Sequence, residues 1–495
     1  MINSRIDKRS TYNLITGISY QIISIGSGLL LPRLFITSFG SESNGLLSSV
    51  AQIFICLSLL EAGVGTATKQ ALYKPIAEND TSTINSILSA TNAYYKRTGL
   101  WYALSISAIA FVYPYLVDSV LSPLTIRCVI LLQGCAVIIT YLVQAKYNVL
   151  LSAEGKSYVL TTITLITLLI RNFGKIISIS LGYDVIVVQI VHLLSVLIEA
   201  SIVLLYIKTK YCWISLSVDP NYKAIDQKNS VLIQSISWMV FNHTDILVLT
   251  AFTHNLKLIS IYSIFSLLFE AAQNLLNAVR DSFQYKIGKI AQDGGRSLDS
   301  YFTYYSIIVL AFTMAVFSSI YLISPLFVSL YTAGVNDTNY LIQGLPELFL
   351  FYKMLYGLRA LNRQLIEANG HFKQTQIIPM TESILNLSIS ILLVVNYGII
   401  GVLIGTVAAL IVSIIMYYVY IRKHVAPLAT SMQLRQIILY IPVMFLILIC
   451  GRRQLFCANS WIELVFITVL IAIFMLLMYF SVAACLILLR SKVAK

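Results

Sequence analysis

Charge is scarce in this chain. Lys, Arg, Asp and Glu make up only 11% of its 495 residues, where soluble domains carry about 25%. That leaves too little polar surface to cover a soluble globule. The seven cysteines (56, 128, 135, 212, 450, 457 and 485) are scattered, mostly within apolar runs. With no Cys-x-x-Cys and no nearby His they form no metal cluster, and they read as reduced core residues. Glu154-Gly155-Lys156-Ser157 ends like a phosphate loop but has Leu150 where the first Gly belongs, which excludes an ATP site. No His-Glu-x-x-His, Gly-x-Ser-x-Gly or Cys-Pro metal motif occurs. The chain reads as neither an ATPase nor an enzyme.

What is present is apolar sequence, at 58% hydrophobic residues and a mean hydropathy of +0.82. Stretches of about 18 or more residues, each able to cross a hydrocarbon core as a helix, recur along the whole length. Their limits fall near 14–36, 45–68, 98–118, 124–145, 158–181, 184–207, 231–253, 258–279, 303–327, 340–361, 375–395, 398–421, 433–450 and 461–488. The expectation is an all-α polytopic membrane protein of about 14 transmembrane helices. The first run follows Arg5, Lys8 and Arg9 and lacks a small-residue cleavage site, so it reads as a retained signal anchor.

The net charge of +13 suggests topology rather than nucleic acid. Lys and Arg collect in alternate connections: Lys69 to Arg97, Lys146 and Lys156, Lys208 to Lys228, Arg280 to Arg296, Arg363 and Lys373, and Arg422 to Arg435. By the positive-inside rule these loops and both termini are cytoplasmic, and such residues also favour anionic lipid headgroups. Only Lys257, Arg452 and Arg453 fall outside. The outer connections span only a few residues, and none of the loops accommodates a catalytic domain.

An internal repeat organises the chain. At an offset of 214, Ile76-Ala77-Glu78 falls on Ile290-Ala291-Gln292, Asn172 on Asn386, Tyr183 on Tyr397, Tyr206 on Tyr420 and Lys208 on Arg422. Ala153-Glu154-Gly155 similarly echoes Ala368-Asn369-Gly370. Six spans per half is an even number, so the halves share one orientation, as in parallel-repeat transporters. This reading gives a six-helix lobe at 1–214, a second at 215–428 and two additional helices at 429–495, with a cleft expected between the lobes.

Ionisable residues inside spans are costly and mark candidate sites. Arg171 and Lys175, four apart near the centre of the fifth span, share a helical face. They line a solvated, anion-attracting cavity or form a buried structural pair. Lys353, midway along the tenth span, has similar standing. Arg33, Arg127 and Arg359 lie near span ends, where snorkelling to headgroups competes with a cavity role. His243 and Asp245, in the polar tetrad Asn242-His243-Thr244-Asp245, suit a proton or cation carrier or a hydrogen-bonded pair joining helices. Glu61, Glu199, Glu270 and Glu382 act in coupling or gating, or in helix pairing. Pro32 and Pro379 permit bends.

Phe39-Gly40, Gly45-Leu46, Leu60-Glu61-Ala62-Gly63-Val64-Gly65 and Leu72-Tyr73-Lys74-Pro75-Ile76-Ala77-Glu78-Asn79-Asp80 resemble the start of Wzx-type polysaccharide repeat-unit flippases. These belong to the multidrug/oligosaccharidyl-lipid/polysaccharide exporter superfamily. The specific wording lies in the first hundred or so residues, and the layout extends the resemblance over the rest. Asn44 departs from it, since such sequences often carry an aromatic there. The resemblance implies a V-shaped bundle like that of multidrug exporters in the bacterial cytoplasmic (inner) membrane. It implies flipping of undecaprenyl-pyrophosphate-linked oligosaccharide units, for O-antigen or capsule, to the outer leaflet. Membrane lipids, a polysaccharide polymerase and a chain-length regulator are the implied partners. Relatives are thought to use cleft arginines, which carries over to Arg33 and Arg171 as an expectation. With no ATP site, the expected drive is either an ion gradient, a proton or sodium ion acting through Asp245, Glu270 or Glu61, or consumption of the product outside, no other cofactor being implied. The alternatives are a drug/cation antiporter of the same superfamily and a membrane-embedded polymerase or ligase.

Overall fold

Fifteen α-helices run through the computed structural model, which describes residues 2–61, 64–225, 228–293, 296–452, 458 and 460–493. In chain order they are α1 (Ile2–Leu57), α2 (Val64–Glu78), α3 (Thr81–Val112), α4 (Pro123–Ile139), α5 (Ala145–Ala153), α6 (Ser157–Ser180), α7 (Val185–Lys210), α8 (Lys228–Thr253), α9 (Leu256–Asp293), α10 (Arg296–Tyr331), α11 (Leu345–Ala368), α12 (Phe372–Thr375), α13 (Ile377–His424), α14 (Pro427–Arg452) and α15 (Trp461–Val493). Among the described residues there is no strand, only an isolated bridge between Asp118 and Asn255. This is an all-α, multi-pass membrane protein. Nine helices among the described residues are long and apolar enough to cross a membrane.

Two of those helices are double. α1 turns at Gly40 (φ 78°) and α13 at Gly398 (φ 53°), a left-handed backbone that glycine adopts without a Cβ clash. Each therefore contains two of the expected spans. The remaining expected spans fall in α3, α8 and α11. α11 carries Glu347, Lys353 and Arg359 within its apolar length.

Three sequence expectations change. The charged inner stretches 69–97 and 280–302 are largely helix, because α2, α3, α9 and α10 continue through them. Asn79, with φ 55°, makes the tight turn between α2 and α3. Asp80 then caps α3, accepting from the Thr83 hydroxyl and the Thr83 N–H at 3.0 Å. These hydrogen bonds hold its exposed carboxyl below the ordinary range. The second span is interrupted: a 3₁₀ turn at Ser58–Leu60 ends it and α2 restarts at Val64. The fourth contains a π-turn, Thr140–Gln144, which joins α4 to α5. Arg453, Cys457 and the Ala62-Gly63 pair of the family-like wording lie outside the described residues.

Left-handed turns at Gly40 and His254, at Gly155 and Gly370, and at Gly182 and Gly398 are each separated by close to the 214-residue offset. The chain divides into two units, Met1–Met239 with His254–Ile259, and Val240–Thr253 with Ser260–Lys495. In the first, α6 packs on α1 and α7, α4 on α3 and α7, and α2 on α3 and α5. One of its cores gathers Leu72, Leu88, Leu150, Leu151 and Val203. In the second, α10 packs on α11, α14 and α15, and α11 on α13. Both units leave large apolar side chains exposed, among them Phe111, Leu392 and Phe466, as helices facing lipid require.

Candidate functional site

Polar residues within the spans gather into separate clusters, each inside one unit. In the first unit, α6 presents Arg171 and Lys175, both half-buried and close enough to interact. Arg171 is also within electrostatic reach of Glu199 on α7 and Tyr20 on α1. The Glu199 carboxylate is already engaged, accepting from Thr164 at 2.9 Å and Thr167 at 3.1 Å. Among the described residues, neither Arg171 nor Lys175 forms an ion pair. His192, which the sequence reading missed, faces both cations from α7. Gln133 donates to Gln189 at 3.2 Å on the same helix pair, α4 and α7. Asn172 anchors α6 to α1 through Ser27 at 2.5 Å. Two cations with one carboxylate, itself hydrogen-bonded and within reach of Arg171 only, leave a net positive site suited to an anion.

Arg33 and Arg127 stand elsewhere in this unit. Arg33 is half-buried on α1, two turns before Gly40. Arg127, at the start of α4, donates to the Tyr115 hydroxyl at 3.2 Å and lies over the rings of Phe111 and Tyr115 at 5.7 and 5.9 Å. Both aromatic residues are exposed, which fits an arginine anchored at an interface. Glu61 belongs to a third group, where it accepts from the Tyr95 hydroxyl at 3.1 Å.

In the second unit, Asp245 on α8 is buried. It accepts from Tyr262 of α9 at 2.8 Å and from Thr406 of α13 at 3.3 Å. Asn386 donates to Thr406 at 2.8 Å, and its Oδ1 is buried with no partner among the described residues. Thr406 also reaches the Val402 carbonyl, which Ser390 approaches at 3.2 Å.

Local sequence explains how these groups converge. The two arms of α13, 377–397 and 399–424, meet at Gly401 and Gly405. A Cβ on Gly405 would lie 2.4 Å from Ser390 Oγ, and one on Gly401 would lie 2.5 Å from the Leu393 carbonyl. The spacing Gly-x-x-x-Gly thus allows close approach of the arms and brings Asn386 beside Thr406. Carboxylate, amide, hydroxyl and carbonyl oxygens together suit a small hard cation or a proton. Asp245 was legible as a candidate. Its partners were legible only in part, through the repeat match of Asn172 with Asn386.

Lys353 lies nearby, buried, with Nζ 4.6 Å from the centre of the Tyr352 ring and within electrostatic reach of Asp245. Arg359 corrects an expectation, since it does not snorkel. It is buried, with Nη2 2.8 Å and Nε 3.0 Å from the two Glu382 oxygens, and it packs on Phe241 and Tyr356. Arg359 and Glu382 therefore compensate each other between α11 and α13. His243, half-buried, and Glu270, exposed, are mutually within electrostatic reach. Among the described residues no group of His, Cys, Asp and Glu could hold a metal ion on its own.

No protein-family model matches the chain, and no curated protein matches it in sequence. Solved structures do match in fold. A lipid II flippase, MurJ, in an inward closed conformation aligns with a TM-score of 0.68 at 16% identity, over 97% of this chain and 100% of that one. An inward-facing multidrug resistance MATE family transporter of the MOP superfamily aligns at 0.66 and 14%, over 83% and 95%. A MATE structure in the bent conformation gives 0.55 and 15%, over 86% and 97%. The chain has the fold of these transporters.

Proposed function

We propose that the protein flips undecaprenyl-pyrophosphate-linked oligosaccharide repeat units, of an O-antigen or capsule, from the inner to the outer leaflet of the bacterial cytoplasmic membrane by alternating access. The observation that carries this reading is the pair Arg171 and Lys175, held in a membrane helix without an ion-paired carboxylate among the described residues. Such a pair is stable in a membrane where it meets water or an anion, and a pyrophosphate offers the anion. The likeness in fold to a protein described as a lipid II flippase supports a lipid-linked substrate. Movement is coupled to a proton or sodium ion at Asp245, with Tyr262, Asn386 and Thr406 as its companions. The ion drives transport only by binding the two access states unequally. A polymerase and a chain-length regulator receive the product.

The test is the leaflet distribution of lipid-linked oligosaccharide in cells lacking the gene, with and without its restoration. Single units should accumulate on the cytoplasmic face and move outward on restoration. Arg171→Ala and Lys175→Ala should each lower the flipping rate about 10-fold or more, the worth of a charge-assisted phosphate contact. Units that reach the outer face yet stay unpolymerised would point to a polymerase or ligase instead. Unchanged units and polymer would leave the drug/cation antiporter, the reading that the MATE likeness and the oxygen cage of Asp245 favour.

A further inference from the structure

The second span breaks where it carries its only carboxylate. The last turn of α1 tightens into the 3₁₀ segment Ser58–Leu60, Glu61 closes it by donating its N–H to Ser58 O at 3.0 Å, and α2 begins three residues later. Carbonyls at the end of a helix form the negative end of its dipole. A carboxylate placed there adds to that charge, so helix end and side chain together attract a positive charge and repel an anion.

Among the described residues, the surroundings of Glu61 supply hydroxyls. Tyr95 of α3 donates to Glu61 Oε1 at 3.1 Å, and Tyr141 lies within electrostatic reach of the same carboxylate. Tyr141 stacks on Tyr95, with ring centres 6.1 Å apart, and packs on Tyr102 at 5.3 Å. Tyr102 spends its own hydroxyl on the Phe54 carbonyl at 2.9 Å. Among the described residues Glu61 has no ion pair. Cys56 on α1 is within electrostatic reach of Tyr102, and Tyr94 of Tyr95; Lys146 lies on α5, beyond the π-turn. Lys146 donates to the Leu142 carbonyl at 2.8 Å. Lys96 and Arg97 of α3 are exposed.

A second distortion sits across from the first. Tyr141 lies in the π-turn Thr140–Gln144, and single π-turns inside α-helices recur at functional sites. Tyr141, Gln144 and Asn148 recur at helical spacing. Gln144 Nε2 and Asn148 Oδ1 are buried with no partner among the described residues. That stripe gives water or a proton a polar route along the π-turn and α5 away from Glu61.

We propose that Glu61, caged by Tyr95 and Tyr141, is a proton-binding site of the first unit, separate from the Asp245 group. Tyr95 donates to the carboxylate, Tyr141 stands beside it, and the Ser58 and Leu59 carbonyls at the break share the Glu61 N–H. Among the described residues no group of His, Cys, Asp and Glu could hold a metal ion here, whereas a proton needs only a carboxylate oxygen. The proposal stands whether or not the substrate reading holds.

pH-difference infrared spectroscopy of the full chain in lipid nanodiscs tests it, with Asp245→Asn as background so that the buried Asp245 carboxyl is silent. A protonated-carboxyl C=O band that appears as pH falls should vanish in Glu61→Gln. It should persist at a shifted frequency in Tyr95→Phe, which removes the donor, and in Tyr141→Phe, which removes the neighbouring hydroxyl; both guard against a Glu61→Gln variant that fails to fold. A band that survives Glu61→Gln unchanged overturns the proposal. So does a band abolished by sodium at constant pH, which would make the site a metal site. Flipping assays do not enter this readout, so its failure and that of the transport reading are distinct.

Discussion

Arg171 and Arg359 are both arginines in apolar helices, yet their surroundings assign them opposite roles. Arg359 is bound at both ends of a carboxylate and covered by Phe241 and Tyr356, which leaves it no charge to offer a ligand. A buried pair of this kind is sensitive to loss of one partner and tolerant of the loss of both. Arg359→Met alone should lower stability by about 3–5 kcal/mol, because it strands Glu382 in a dry site. Arg359→Met with Glu382→Met should recover most of that loss and retain flipping. Thermal unfolding in detergent, followed by retention on a sizing column, measures the first effect, and the leaflet assay measures the second. A double variant as unstable as the single one, or stable but inactive, would show that Arg359 does more than hold α11 to α13. Arg171 lacks such a partner, so the corresponding loss is expected in transport, with little change in unfolding.

Among the elements, α13 shows how backbone packing sets up a polar group. Gly405 lets the 399–424 arm approach Ser390 closely, which keeps Asn386 2.8 Å from Thr406 and Thr406 3.3 Å from Asp245. Gly405→Val should push the arms apart, destabilise the chain by about 1–3 kcal/mol and weaken ion binding at Asp245. Isothermal titration with sodium, together with proton release on titration, reads out that weakening. Gly28→Val is the control, since a Cβ there meets nothing within 4 Å; equal effects from both would remove close packing as the cause. The existence and order of the spans were legible because length and hydropathy decide them. The break at Glu61 and the π-turn at 140–144 were not, because each depends on what packs against the helix. Tyr141 reads as one more interfacial tyrosine until α3 and the end of α1 are placed beside it. Arg359 was misjudged for a related reason. Its distance from a span end was visible, while Glu382 lies 23 residues away in sequence and becomes a neighbour only when α11 meets α13.

For the whole molecule, the distribution of charge makes the sharpest statement about orientation. The excess of +13 is carried by alternate connections, and cytoplasmic loops hold such an excess because Lys and Arg resist translocation. If that rule governs here, the end of α7 with Lys208 and Lys210, and the segment after it with Lys223, face the cytoplasm, and the connection between α3 and α4 faces outward. Each carries a usable position. Cys212 is exposed beyond the end of α7, and Val120, at 90% exposure, sits between α3 and α4. With the other cysteines replaced, a membrane-impermeant maleimide should leave Cys212 unlabelled in intact cells and label it once the membrane is permeabilised. Val120→Cys in a Cys212→Ser background should label in both. The reverse pattern would invert the chain. Arg171 and Lys175 would keep their depth near mid-span, so the anion site would survive, but Glu61 and its polar stripe toward Asn148 would then lead to the outer side. A proton entering there would move with the gradient in the opposite sense. Orientation therefore decides whether the Glu61 group can help drive export or only accompany it.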